Sequence, residues 1–129
     1  MIDVENKVFD RVYNKVISQY PKIFATSEYV REVANFPAYS LIEMDNRVNM
    51  PSRSLSKIEN MADLMYELNV YSNKKSGKKQ ECKKIWKLID SEMSDMGFTR
   101  TYGRPIDNLE DATIYRIVAI YEKIENGEL

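Results

Sequence analysis

The sequence predicts an α+β fold: a single antiparallel (mixed) sheet of about four strands flanked by two helices, in the order α-β-β-α-β-β. Three observations predict it. Val4, Val8, Val12 and Val16 recur at every fourth position, which puts one apolar stripe along a helix. The segments 62–71 and 112–121 alternate instead with period two, the repeat of a strand. Between them, Gly97 follows a second helical pattern and is followed by strand-forming residues, so a helix stops there and a strand begins.

The first helix is expected from Asp3 to about Gln19, with Phe9, Tyr13 and Ile17 widening the valine stripe, Asp3 as N-cap and Glu5 at the positive helix end. Pro21 ends it, because the residue before a proline avoids the α region. Ile23 to Phe36 is a connector with room for a short strand or turn near Tyr29 and Val30. After Pro37, Ala38 to Asn46 reads as a strand, with Ala38, Ser40, Ile42 and Met44 on one face and Tyr39, Leu41, Glu43 and Asp45 on the other. Arg47 to Ile58 is polar and longer than a tight hairpin needs, and is read as an arm or lateral loop. A long strand follows, about Glu59 to Ser72, with Ala62, Leu64, Tyr66, Leu68 and Val70 on one face.

The second helix is expected from about Lys78 to Met96, burying Cys82, Ile85, Ile89 and Met93 or Met96. Gly97 and Phe98 suit its Schellman cap. Strands at about Phe98–Arg104 and Ala112–Ile124 complete the sheet. The last is apolar on both faces, so the side turned away from the helices is expected to pack another element or a neighbouring subunit. Residues 126–129 read as a loose tail, and nothing divides 1–129 into separate domains.

Composition narrows the chemistry. The chain has 129 residues, enough to bury roughly two-thirds of its unfolded surface, and 19 basic residues nearly balance 20 acidic ones for a net charge of −1. Such a balance gives no global attraction to nucleic acid or membrane. No apolar run approaches the ~20 residues of a membrane span, and the acidic start of the chain lacks the pattern of a signal peptide; synthesis in the cytoplasm is expected. Histidine is absent, which removes the commonest general base and metal ligand. No enzyme activity and no cofactor are expected. One cysteine, Cys82, allows no intrachain disulfide and reads as a core thiol. Nine tyrosines and seven methionines suit cores and adaptable interfaces alike.

The candidate interaction residues are basic. Lys74, Lys75, Lys78, Lys79, Lys83 and Lys84 crowd the turn and start of the second helix, a solvated face or a contact for phosphates or an acidic partner. Arg53 lies in the arm. Arg116 interrupts an apolar strand face, and a buried arginine needs a partner: Glu43 or Glu67 within the chain, or an acid on a neighbouring subunit. Ser76-Gly77-Lys78 lacks the remainder of a phosphate loop, and Glu81-Cys82-Lys83 falls on a helix where a metal nuclease needs strand geometry.

Three strand patterns, in this order, resemble a known family. They are Phe36 to Asn46, Leu64 to Asn73 with the Gly-Lys turn and helix after it, and Ala112 to Ile117. All are similar to segments of the tail-terminator and head–tail connector (neck) proteins of tailed phages of Gram-positive hosts. The resemblance spans most of residues 1–125 and assigns no functional residue. It implies a ring-forming virion protein: a homo-hexamer that caps the head-proximal end of the tail tube, ends tube polymerisation and joins the tail to the head. The implied partners are further copies of the chain, the tail tube protein, the head–tail connector or stopper protein, and the sheath of a contractile tail; DNA is only passing cargo, and no membrane is involved. A head-side connector or stopper, and a small nuclease-like or regulatory phage protein, are the alternatives.

Overall fold

A computed structural model describes residues 1–53, 59–108 and 111–129. It is α+β, with helices α1 (Glu5–Ile17) and α2 (Lys78–Asp95) and strands β1 (Phe24–Thr26), β2 (Ala38–Val48), β3 (Ala62–Ser72), β4 (Thr99–Pro105) and β5 (Tyr115–Glu125). The strands form one sheet in the order β1-β2-β3-β5-β4. The sheet therefore has five strands rather than about four. The additional one, β1, pairs in parallel with the start of β2, and all other pairings are antiparallel. It lies earlier in the connector than the expected position, where Tyr29 is instead exposed. The Phe36–Pro37 peptide after the connector is cis.

Both helices pack on one face of the sheet. Val8, Val12 and Val16 of α1 are fully buried, as are Cys82, Ile85, Ile89 and Met93 of α2. They meet Tyr39 and Leu41 of β2, Leu64, Tyr66, Leu68 and Val70 of β3, and Ile117, Ala119 and Tyr121 of β5 in one core. The opposite face has no helix. Val118 and Ala38 are buried there but stand outside that core.

The ends of the elements follow local chemistry. α1 starts at Glu5 with Val4 at the N-cap, not Asp3. Asp3 still acts, because its Oδ1 accepts from the Glu5 N–H at 3.2 Å. α2 ends in a Schellman cap: Gly97 takes φ 92, its N–H donates to the Ser94 carbonyl and the Phe98 N–H donates to that of Met93, both at 2.9 Å. That geometry needs the left-handed conformation that glycine adopts without cost. β5 starts at Tyr115 instead of Ala112, because Asp111 caps a turn by accepting from the Thr113 N–H at 2.9 Å and from its hydroxyl at 2.6 Å. β3 starts at Ala62. Of the expected arm, β2 takes up Arg47 and Val48, a 3-10 turn spans Met50–Ser52, and residues 54–58 lie outside the described residues.

A bulge at Met44 changes the face assignment in β2. Glu43 pairs with Tyr66, but Asp45 pairs with Met65. One extra residue reverses the alternation, so Asp45 leaves the helix face of Tyr39, Leu41 and Glu43 and joins the bare one. The edge strand β4 is exposed along its whole length. Gly103 in it faces α2: a Cβ there would stand 2.6 Å from Cζ2 of Trp86. The indole is held from the other side, with Nε1 donating to the Tyr121 hydroxyl at 3.0 Å and Arg100 stacked 5.3 Å above the ring.

The C-terminal residues fold back onto the body. Glu125 is buried and its carboxylate accepts from the Gly127 and Leu129 N–H groups at 2.8 and 3.2 Å and from the Lys123 ammonium. Burial alone would raise this carboxyl, yet the ammonium and the two amides hold it below its ordinary value. A depressed acid contributes stability above its unfolded pKa and loses that contribution as pH falls through the folded pKa.

Two outcomes follow from this packing. Gly103→Ala forces the held indole aside and is expected to cost about 1–3 kcal/mol, measured by urea denaturation. Glu125→Gln is expected to cost about 1–3 kcal/mol at neutral pH, and the gap to the parent should close on acidification below the ordinary glutamate range, read from urea midpoints across that interval. A gap independent of pH would sink the second expectation.

Candidate functional site

The strand register divides the charged side chains between two ends of the sheet. At one end β2 begins and β3 finishes, with Ala38 opposite Tyr71 and Tyr71 opposite Arg116. The chain then turns through Lys74 and Lys75 into α2. Gly77 enters the helix at φ 86 with no side-chain cap, and Lys78 Nζ donates to the Thr113 carbonyl at 3.2 Å. Lys74, Lys75, Lys78, Lys79, Arg104 and Arg116 are therefore gathered at this end. Of its nearby acids, Glu81 accepts from the Ser72 hydroxyl at 2.7 Å and Asp111 from Thr113, while Asp107 stands exposed beside Ile106, whose N–H donates to the Arg116 carbonyl.

The opposite end is acidic. It carries Asp45, Asp63 and Glu122 on adjacent strands, Glu125 beneath the C-terminal residues, and Asp3 and Glu5 at the start of α1. Arg47 is spoken for, at 3.3 Å from Asp45 and 3.9 Å from Asp63. Arg53 stands exposed at this end, after the 3-10 turn, far along the strands from the lysine group. The structure thus separates it from the other candidate residues. Lys83 and Lys84 are exposed further along α2. Lys83 borders a shallow recess of about 160 Å³ with Trp86, Lys87, Asp90 and Arg100.

Arg116 projects from the bare face. Its Nε donates to Asn69 Oδ1 at 2.9 Å and its guanidinium lies 5.7 Å from the Tyr71 ring centroid. Asn69 Nδ2 in turn donates to Glu67 at 2.9 Å. Glu67 is thus reached only through an amide. Glu43 lies on the helix face, accepting from the Tyr66 hydroxyl at 3.4 Å. Burial, then Glu5, raises the Glu43 carboxyl above its ordinary value. Among the described residues no carboxylate stands within ion-pair distance of Arg116 or opposes it from a neighbouring strand.

Sequence reasoning missed the polar group that joins α2 to the sheet edge. The Tyr121 hydroxyl accepts from Trp86 and donates to Asp90 Oδ1 at 2.7 Å, and Arg100 Nη1 meets the same oxygen at 3.0 Å. Burial and Asp90 both raise the Tyr121 hydroxyl, so it stays a neutral donor. The signal was present as Trp86 and Asp90 one helical turn apart and a glycine inside a strand.

Among the described residues no three or more His, Cys, Asp or Glu side chains gather as a metal site, and no helix is long and apolar enough to cross a membrane. Cys82 is buried, its Sγ 3.5 Å from the Tyr115 carbonyl oxygen, and burial pushes its thiol up to about 12. Neither a family model nor a curated protein matches the chain.

Cys82 yields a direct test of this burial. The thiolate is the reactive form, so the native protein at mildly alkaline pH should resist alkylation by iodoacetamide, with full labelling on unfolding in urea. Rapid labelling of the native protein would contradict the packing of α2 on β3 and β5.

Proposed function

We propose that this chain is a structural neck protein of a tailed phage or phage-derived particle: a tail terminator. In this role a ring of copies caps the head-proximal end of the tail tube, ends its polymerisation and joins it to the head connector. The observation that carries the reading is the charge separation along the strands. A terminator must offer two unlike surfaces, one matching the last ring of the tube and one that does not match it, so that growth stops. A body with Lys74, Lys75, Lys78 and Lys79 at one end and Asp45, Asp63 and Glu122 at the other has that asymmetry. A ring also needs a contact between unlike patches that closes by rotation. The exposed edge strand β4 and the projection at Met50–Ser52, where Met50 is 61% exposed, are surfaces free for it.

The resemblance of the strand patterns to those of neck proteins of phages of Gram-positive hosts supports the same role. Its mechanism is steric and energetic: bonds are neither made nor broken, and the contacts decide which partner fits. Electrostatic complementarity of this kind acts on partner choice and association rate more than on affinity. The lysine end also suits a head-side connector or stopper, where it would face the DNA passing through.

Deletion of the gene from its parent particle, followed by electron microscopy, tests the proposal. Overlong or unjoined tails are the expected result. Normal tails beside leaking or tailless heads would move the protein to the head side of the neck, and normal joined particles would defeat both readings.

A further inference from the structure

The bare face of the sheet has no helix, yet it does not resemble an ordinary solvated surface. Ile42, Val118 and Ile120 stand in its middle rows, Val118 with only 6% of its surface exposed, and Met65 lies in the row of Asp45 and Glu122. Around them the charges are sorted. Arg104 and Arg116 stand towards one end of the strands, and Glu122, Asp45 and Asp63 towards the other, where Arg47 pairs with the two aspartates. Ile42 on one side of Glu67 and Val118 and Ile120 on the other make an apolar middle with one charge in it, and most of the remaining charges lie towards the rim, as in a protein interface. Its size fits as well. Three strands of eleven residues, one of seven and one of three, at ~3.3 Å per residue and ~4.8 Å between strands, make a face of roughly 700 Å². Each partner in a stable complex buries about 800 Å².

The occupant follows from the charge pattern. Two copies of one face can meet about a two-fold axis lying parallel to the strands or across them. The parallel axis sets the basic end of one copy on the basic end of the other, and the acidic end on the acidic end. The crossing axis sets the basic end of each copy on the acidic end of the other, and it keeps β5 over β5 and β3 over β3. With the axis between Val118 and Ile120, three pairings fall out of the observed register. Arg116 faces Glu122 of the partner subunit. Val118 faces Ile120 of the partner subunit. Asn69 faces Glu67 of the partner subunit, so no acid is buried against another. Arg116 and Glu122 both lack an ion pair among the described residues, and this contact supplies one to each, twice per interface.

We propose that the bare sheet face is self-complementary and binds a second copy of this chain, closed by reciprocal Arg116–Glu122 pairs over a Val118–Ile120 centre. Sheets packed face to face keep their strands within about 30° of alignment, which this arrangement satisfies. The contact goes beyond the ring reading and does not depend on it: a ring closes through unlike patches, and this pair closes through one patch meeting itself.

Sedimentation equilibrium of the full chain at low and high salt tests the proposal. The expected species has twice the 15.1 kDa mass of one copy and weakens as salt screens the pairs. Arg116→Glu and Glu122→Arg should each weaken association by about tenfold or more. The double variant, with the charges exchanged, should return to within about threefold of the parent, because the two sites couple directly. Circular dichroism melts verify folding. Glu122→Arg keeps the test sound even where Arg116→Glu disturbs Asn69, since Glu122 holds no side-chain partner among the described residues. A parent chain that stays monomeric at both salt levels would overturn the inference. So would an assembly of any size whose mass neither single variant changes, or a double variant no better than the singles; a hexamer indifferent to all three would do so while leaving the ring reading intact.

Discussion

The constraint on which the rest depends is the one-sided burial of β3. Ala62, Leu64, Tyr66, Leu68 and Val70 all turn to the helices, and none is more than 2% exposed. Fully burying the larger of these side chains contributes about 1.5–3 kcal/mol each. Because side chains alternate, a slip of one residue in the pairing would exchange this set for Asp63, Met65, Glu67, Asn69 and Tyr71. The register against β2 and β5 is therefore fixed by β3. Everything placed by that register, from the Tyr71–Arg116 stack to the Glu122 position, inherits its certainty from the same five residues. The helices answer the same demand. α1 offers valines at every fourth position and α2 offers Cys82, Ile85, Ile89 and Met93, so each lays one stripe on the sheet and leaves its charged side to water.

This explains which parts of the fold were legible in the sequence. Long amphipathic elements show their period, so α1, α2, β3 and the core of β5 could be read to within a few residues, as could the glycine cap at Gly97. The features that were not legible are those set by partners distant in sequence. β1 has only three residues, too few for any period, and exists because Phe24 finds Ala38 beside it. The bulge at Met44 leaves no mark in an alternating string, yet it moves Asp45 to the bare face and so builds part of the acidic end. The Asp111–Thr113 turn uses residues that alternation would count as strand. In each case a local pattern was overruled by pairing or by a side chain that caps its own backbone.

The candidate surface divides the same way. The lysines of 74–84 are legible because they are crowded in sequence; that Arg104 and Arg116 belong with them, and that Arg53 does not, depends on strand order. Arg116 could be recognised as anomalous, since it breaks an apolar run. Its actual neighbours, an amide and an aromatic ring, could not, because Asn69 and Tyr71 reach it only through the β3–β5 register. The Trp86–Tyr121–Asp90–Arg100 group was invisible for a related reason. It joins a helix, a central strand and an edge strand, and its geometric centre is a glycine with no side chain at all.

A guanidinium half removed from water without a carboxylate is an unusual thing to keep. Asn69 satisfies one N–H and Tyr71 offers its π face, but neither neutralises the charge, and desolvating an uncompensated charge is expensive. The cost stays low only while water still reaches the remaining N–H groups. Covering the face with an apolar partner would therefore be penalised at Arg116, and at Glu67 and Glu122 as well. Covering it with a surface that carries an acid in the right place would not. The face thus selects its partner by exclusion as much as by attraction. The same face turned end for end carries an acid, Glu122, at the right spacing, with Val118 and Ile120 between.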